Sequence, residues 1–266
     1  MIMKYWNQGC SDRIYPILFF LLSIFFLSAG GIQAASVPAG RIVNWSQLPD
    51  LSVYGDDHPS NNKTGDHTLV ADDFMSDGRP IAGIHWWGSY LGSRDTIDGF
   101  WIKLWSDDTG AVPGRPYTAA TDINNEIFSM YFTFDQVNEE YYGHQEGPNL
   151  AAYQYYVDFA NEPFYEEDGT VYWISIQAVG STKWGWKYTY SDQGWRDEAV
   201  FSNLAYDPLD ANDPWPTGTS EAIEGKNMAF ELTTVPIPRA ALLLGSGLLG
   251  LIGIRRRTTT SDQYNQ

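Results

Sequence analysis

The stretch from Val171 to Val179 reads Val-Tyr-Trp-Ile-Ser-Ile-Gln-Ala-Val and contains neither glycine nor proline. Its β-branched and aromatic residues favour a strand, and successive side chains of a strand point to opposite faces. One face of this strand is entirely apolar and is expected to be buried, whereas the other mixes a tryptophan with polar groups. The inward face consists of Tyr172, Ile174, Ile176 and Ala178, and the outward face consists of Trp173, Ser175 and Gln177.

Eight further stretches show short runs of this kind, separated by turn sequences such as Ser76-Asp77-Gly78 and Glu167-Asp168-Gly169. Helical periodicity is nearly absent, so the crossover helices that a parallel sheet needs are missing. The pattern predicts an all-β fold, an antiparallel β-sandwich of jelly-roll type. The nine predicted strands are Thr68–Phe74, Ile81–Tyr90, Gly99–Trp105, Ile127–Phe134, Tyr153–Phe159, Val171–Val179, Trp184–Tyr190, Glu198–Ser202 and Met228–Thr233.

The same alternation assigns side chains of the other strands to the core or to the surface. Adjacent Trp86 and Trp87 must point to opposite faces, and Trp184 and Trp186 must share one face. The strands Gly99–Trp105 and Ile127–Phe134 each carry a row of large apolar residues on one side. Inward positions are Phe100, Ile102, Leu104, Phe128, Met130, Phe132 and Phe134, and outward positions are Trp101, Lys103 and Trp105.

The predicted domain, residues 36–234, is strongly acidic. It holds ten Lys and Arg against 31 Asp and Glu, a net charge of −21. This charge argues against binding to nucleic acid and to anionic lipid surfaces. It also offers many oxygen ligands for calcium, a cation that prefers carboxylates and carbonyls. Candidate calcium ligands are the pairs Asp72, Asp73 at a strand end and Asp107, Asp108 before a turn, although acidic turns often only satisfy local amides.

The N-terminal 35 residues have the features of a secretory signal peptide. Lys4 and Arg13 precede an apolar stretch from Ile14 to Leu27, and small residues up to Ala35 follow it. The alternative is an uncleaved signal anchor. Cys10 is the chain's one cysteine and would leave with the signal, so the mature domain must be stable without disulfide bonds.

The C-terminal segment 235–257 combines an extended element, an apolar run and a cationic end. Val235-Pro236-Ile237-Pro238 cannot be helical, because each proline fixes φ and lacks an amide proton. The uncharged run 240–254 predicts a transmembrane helix of about 22 Å, which spans a bilayer with local thinning. Arg255, Arg256 and Arg257 are expected to stay cytoplasmic, followed by the polar tail 258–266.

In the order of its three parts, this segment resembles the PEP-CTERM sorting signal of Gram-negative bacteria, in its Val-Pro-x-Pro variant. The resemblance implies recognition and processing by an exosortase-type membrane protease during export through the inner membrane. The pattern Ala71-Asp72-Asp73-Phe74, Ile84-His85-Trp86-Trp87-Gly88 and Trp105-Ser106-Asp107-Asp108 is similar to an uncharacterised extracellular β-sandwich domain that accompanies such tails. That family implies no assigned chemistry.

Catalytic signatures are absent from the sequence: it has no Gly-x-Ser-x-Gly, His-Glu-x-x-His, Walker or dinucleotide motif. A glycoside hydrolase remains an alternative, since two distant carboxyls can meet across a cleft. A carbohydrate-binding module is the nearer alternative, because sugars stack on exposed aromatic rings while their hydroxyls pair with amides. The candidate glycan platform consists of Trp101, Trp105, Trp173 and Gln177, which predicted parity places on outer faces.

Together these features predict an exported cell-surface or extracellular-matrix protein with a structural or adhesive role. It would be anchored transiently in the inner membrane by its C-terminal helix. Exopolysaccharide is an expected partner, because exosortase systems accompany exopolysaccharide production.

Overall fold

A computed structural model describes residues 38–63, 66–108, 114–116, 126–146, 150–181, 183–202 and 221–236. Within these ranges, no helix is long and apolar enough to cross a membrane. Val235 and Pro236 directly follow the last strand and are exposed. The predicted signal peptide, Ile237, Pro238, the apolar run 240–254, the three arginines and the polar tail lie outside the described residues.

The described residues form fourteen strands and one 3-10 turn, Phe134–Gln136. All nine predicted strands are present, with ends that differ by a few residues, so the all-β prediction is confirmed. The strands are β1 Ile42–Gln47, β2 Asp57–Pro59, β3 Asn61–Lys63, β4 Asp66–Met75, β5 Gly83–Tyr90, β6 Gly99–Ser106, β7 Glu126–Thr133, β8 Asn138–His144, β9 Ala151–Asp158, β10 Val171–Val179, β11 Trp184–Lys187, β12 Val200–Ser202, β13 Glu221–Ala222 and β14 Phe230–Thr234.

The first sheet is built around β5. Strand β9 pairs with β5 along one side, and β8 pairs with β9. The other side of β5 is shared, because β14 pairs with its first half and β11 with its second half. Strand β1 then extends the sheet beyond β14, and β2 extends it beyond β11. All of these pairs are antiparallel.

The second sheet has the order β13, β12, β4, β10, β6, β7. The short strand β3 pairs with both β4 and β10, and its contact with β10 is parallel. The central pairing of β10 with β6 runs over eight residue pairs, from Tyr172 with Ser106 to Val179 with Gly99. The sequence stretch with the clearest alternation therefore forms the centre of this sheet.

The two sheets pack face to face as a β-sandwich, with an aromatic core between them. The ring of Phe100 in the second sheet lies 5.2 Å from Trp86 and 5.1 Å from Trp184, both in the first sheet. Such edge-to-face pairs stabilise a core by about 0.5–1.5 kcal/mol each beyond the burial of their area. Trp184 and Trp186 share the inward face, and Trp86 also packs in the core. The inward positions predicted from alternation pack in this core: Phe100, Ile102, Leu104, Phe128, Met130, Phe132, Phe134, Tyr172, Ile174, Ile176 and Ala178.

Candidate functional site

A fully buried carboxyl group lies on the outer face of the second sheet. Asp73 in β4 is paired in register with Trp173 in β10, so the two side chains share that face. Asp73 is 0% exposed, and among the described residues neither of its carboxylate oxygens has a hydrogen-bond partner. Burying an unpaired carboxylate is costly, so this position needs an electrostatic or functional explanation.

Two further carboxyl groups and one arginine surround Asp73, and we call Asp73, Asp107, Asp197 and Arg196 the Asp–Arg cluster. Asp107 follows β6, and its Oδ1 accepts a hydrogen bond of 2.9 Å from the Trp173 indole. Asp197 Oδ1 accepts one of 3.1 Å from the Gly114 amide. Arg196 bridges the two, with Nη1 3.4 Å from Asp107 Oδ2 and Nε 3.4 Å from Asp197 Oδ2. The guanidinium thus serves as the cluster's own counter-cation.

The backbone of Arg196 adopts a conformation that side-chain-bearing residues rarely adopt. Its φ is +41°, in the left-handed region, which costs about 1–3 kcal/mol for a residue with a Cβ. Residues in this state persist where the surrounding structure fixes them, and they concentrate at functional sites. Here the strained backbone places the guanidinium between two carboxylates.

The cluster changes the proton affinity of Asp73. Burial raises the pKa of Asp73 to about 8, and the neighbouring carboxylates of Asp197 and Asp107 add to this effect. The backbone amide of Asp197 and the guanidinium of Arg196 oppose it. The Asp73 carboxyl is therefore mostly protonated at neutral pH, which lowers the cost of burying it.

An open cleft of about 340 Å³ borders the cluster at the end of β6 and the start of β10. Two members of the Asp–Arg cluster, Asp107 and Arg196, line it, whereas Asp73 and Asp197 do not. The remaining lining residues are Ser106, Gly169, Thr170, Val171 and Tyr172. The wall thus offers a carboxylate, a guanidinium and two hydroxyls, a combination suited to a ligand rich in hydroxyl groups.

The model of the DUF7901 family, described as a domain of unknown function, matches residues 43–233. The chain belongs to the DUF7901 family. The matched range falls within the domain predicted from the sequence at 36–234 and contains the whole Asp–Arg cluster. Neither the curated proteins nor the solved structures contain a match to this chain.

Two of the candidate calcium ligands, Asp72 and Asp73, are neighbours on β4 and point to opposite faces, so their side chains do not form a pair of ligands for one ion. Asp72 accepts hydrogen bonds from the amides of Met228, at 2.7 Å, and Asp73, at 3.0 Å, and from the Gln47 side chain, at 3.1 Å. Asp108 instead lies 3.5 Å from Arg115. In the described ranges, no group of three or more His, Cys, Asp or Glu side chains is placed to hold a metal ion.

Asp72 thus has a structural role in the DUF7901 domain. Its donors come from β1 and from the residue two positions before β14, so the carboxylate joins the two sheets. The Asn227 amide, oriented with its nitrogen towards Asp72, adds a hydrogen bond of 2.9 Å. Burial and the Asp73 carboxyl raise the pKa of Asp72, and the two backbone donors lower it.

The residues of the predicted glycan platform point to the predicted face of the sheet, but three of the four are not exposed to solvent. Trp105, Trp173 and Gln177 are each 0% exposed. The two tryptophans pack with Leu69, Ala71 and Val200 in a second apolar cluster across four neighbouring strands. Alternation assigns a side chain to a face of the sheet, but it does not say whether that face is covered.

Trp101 is half-buried and is the most accessible member of the predicted platform. Its ring lies 5.1 Å from Tyr131. The Lys103 ammonium lies 5.5 Å from the Trp101 ring and 5.7 Å from the Trp105 ring, which are cation–π distances. The outward side chains of Trp101, Lys103 and Trp105 therefore pack against one another and do not present a flat surface for a sugar.

Sequence reasoning named two members of the Asp–Arg cluster, Asp73 and Asp107, but missed Arg196 and Asp197. Their segment, Gly194-Trp195-Arg196-Asp197, precedes a three-residue strand and carries no motif. The backbone strain at Arg196 cannot be predicted from the sequence, because a positive φ is expected of glycine and not of arginine. Asp107 lines the cleft, whereas Asp73 does not.

Proposed function

We propose that this protein is exported through the inner membrane and acts at the cell surface or in the extracellular matrix, with a structural or adhesive role. The observation that carries the proposal is the pair of terminal signals: a charged and apolar leader at one end, and a Pro-rich, apolar and triple-arginine segment at the other. The acidic, disulfide-free domain between them fits a soluble extracellular role.

An exosortase-type membrane protease is the proposed processing partner, because the C-terminal segment resembles the signal that such enzymes recognise. Val235 and Pro236 support accessibility, since both are exposed and lie outside the last strand. The three arginines would hold the far end of the apolar run in the cytoplasm until cleavage. The inner membrane is therefore a transient attachment site in this proposal.

The jelly-roll type is proposed for the sandwich on the basis of how its strands connect. Strands β4 and β10 belong to the second sheet, and the strands that follow them, β5 and β11, belong to the first sheet. Repeated crossing between two antiparallel sheets is typical of a jelly roll. The C-terminal strand β14 also pairs with β1, which brings the two ends of the domain to one place.

Carbohydrate binding is the second candidate function, and the cleft beside Asp107 and Arg196 favours it over the buried tryptophans. Saccharide hydroxyls pair with carboxylates, guanidinium groups and side-chain hydroxyls, all of which line this cleft. Exopolysaccharide of the same bacterium is the proposed ligand. Carbohydrate binding is compatible with the proposed adhesive role, because an adhesive matrix protein binds a matrix polymer such as exopolysaccharide.

A cleft-filling substitution tests carbohydrate binding. Ser106→Tyr places a ring in the cleft and is expected to weaken retention of the exported protein on immobilised exopolysaccharide about tenfold, equivalent to about 1.4 kcal/mol. Tyr165→Ala, which removes an exposed ring outside the cleft, is the matched control and should retain the wild-type affinity. Equal retention of the wild type and Ser106→Tyr would remove the cleft as the binding site.

Substitutions in the C-terminal segment test export and processing. The double variant Pro236→Ala, Pro238→Ala is expected to accumulate as an uncut chain in the inner-membrane fraction, because the prolines keep the cleavage region extended. Deletion of residues 258–266 is the control and should leave release unchanged. Immunoblots of membrane and extracellular fractions measure both, and normal release of the proline variant would contradict the proposed recognition.

A further inference from the structure

A buried lysine on the outer face of the first sheet has a side-chain amide as its neighbour. Lys187 in β11 is 0% exposed, and Gln145, next to the end of β8, is 2% exposed. The Lys187 amine donates to Gln145 Oε1 at 2.5 Å. The contact joins residues 42 positions apart in the chain. A lysine this deep in a protein is uncommon unless it is paired.

A carboxyl group completes this arrangement. Asp57 in β2 is the direct register partner of Lys187, so their side chains stand next to each other on the same face. The Ser89 hydroxyl donates to Asp57 Oδ2. Burial raises the pKa of Asp57 to about 6, whereas burial lowers the pKa of Lys187 against the opposing effect of Asp57. Both shifts favour the neutral forms of the two groups.

An amine, a primary amide and a proton-exchanging carboxyl are the groups needed to form an amide crosslink. We propose that Lys187 and Gln145 become joined by an intramolecular isopeptide bond, with Asp57 as the proton carrier. The neutral Nζ attacks Gln145 Cδ, and the Nζ–Cδ bond forms as the Cδ–Nε2 bond breaks. Asp57 takes the proton from Nζ and delivers it to Nε2, which leaves as ammonia. No oxidant or cofactor enters the reaction.

The crosslink would replace the disulfide bonds that this domain lacks. It connects β11 to the end of β8, two strands that lie on opposite sides of β5 in the first sheet. Closing a loop of this length in the unfolded chain stabilises a fold chiefly by lowering the entropy of the unfolded state. It also turns a buried amine into a neutral amide, which removes the cost of keeping a charge in the interior.

The mass of the purified, unfolded wild-type protein tests the proposal directly. Formation of the bond lowers the mass by one ammonia, about 17 Da, relative to the mass calculated for the residues that the purified chain contains. Proteolysis should then release one branched peptide that contains both Gln145 and Lys187. Lys187→Met is expected to restore the full mass, and Lys183→Met, four residues earlier, is the control that should keep the deficit.

Each remaining outcome decides against the assignment. A purified wild-type chain that shows no deficit from the mass calculated for its residues overturns it. A deficit of one water, about 18 Da, would place the bond on Asp57 instead of Gln145. A deficit of one ammonia that survives Lys187→Met would come from another reaction, such as cyclisation of an asparagine.

The role of Asp57 is tested by Asp57→Asn, which keeps the shape of the side chain. This variant should leave the peptides that contain Gln145 and Lys187 unlinked, because it removes the proton carrier and keeps both residues of the crosslink.

Discussion

Replacing Trp173 with alanine is expected to lower the free energy of unfolding by about 4 kcal/mol, as for other buried tryptophans. The indole is 0% exposed and packs with Trp105 and Leu69 in the second apolar cluster. The substitution also removes the hydrogen bond from the indole to Asp107, so a partly buried carboxylate loses a donor. Urea unfolding followed by tryptophan fluorescence and circular dichroism measures the change.

Tyr165→Ala is the matched control, because Tyr165 is a large aromatic residue that is 76% exposed. Its substitution should change the free energy of unfolding by less than about 0.5 kcal/mol. A Trp173→Ala variant as stable as the wild type would contradict the buried position of this ring. It would also restore the idea that Trp173 belongs to an exposed sugar-binding platform.

The second large effect concerns the stability of the domain as a function of pH. The pKa of Asp73 is raised from its ordinary value of 3.8 to about 8 in the folded state. Between these values the folded state binds more protons than the unfolded state, so this group makes the domain less stable as pH rises. Its unfavourable contribution is absent below about pH 4 and is fully present above about pH 8.

Asp73→Asn removes the ionisation and keeps the shape of the side chain. We expect it to raise the free energy of unfolding at pH 8 by about 5 kcal/mol, with the gain shrinking towards zero near pH 4. Its amide nitrogen gains acceptors, since the Asp107 and Asp197 carboxylates are its neighbours in the Asp–Arg cluster. Urea unfolding at a series of pH values measures the effect.

Asp77→Asn is the comparison variant, and it should change the free energy of unfolding in the opposite direction to Asp73→Asn. Asp77 is exposed and hydrogen-bonded to Arg79, and that arginine lowers its pKa against a desolvation effect. Its substitution should destabilise the domain slightly, by less than about 1 kcal/mol, and most above pH 4. If Asp73→Asn and the wild type showed parallel stability from pH 4 to pH 8, the buried, proton-binding state of Asp73 would be disproved.

The strands and their faces could be predicted because alternation of apolar and polar residues is a local property. Val171–Val179 was predicted with the bounds that the structure shows, and its inward residues pack in the core. The strands that were missed carry a weaker pattern. Strand β8 reads Asn-Glu-Glu-Tyr-Tyr-Gly-His and lies at a sheet edge, where neither face needs to be apolar. Strands β2 and β3 are only three residues long.

The candidate site could be predicted only in part, because it depends on contacts between distant segments. Asp73 and Asp107 are 34 residues apart in the chain, and Asp197 reaches them from the loop before β12. Strand alternation separates Asp72 from Asp73, although the two are neighbours in the sequence. The exposure of Trp105 and Trp173 depends on which other residues cover the outer face of the sheet. The residue pattern of a single strand does not contain that information.

The central claim is that the chain is exported and processed at its C-terminal segment. The most direct measurement is the location and mass of the wild-type protein in its source organism. The account predicts a chain on the cell surface or in the extracellular fraction that lacks residues 1–35 and the apolar run 240–254. A full-length chain recovered from the cytosol, with Met1 and Gln266 both present, would contradict it.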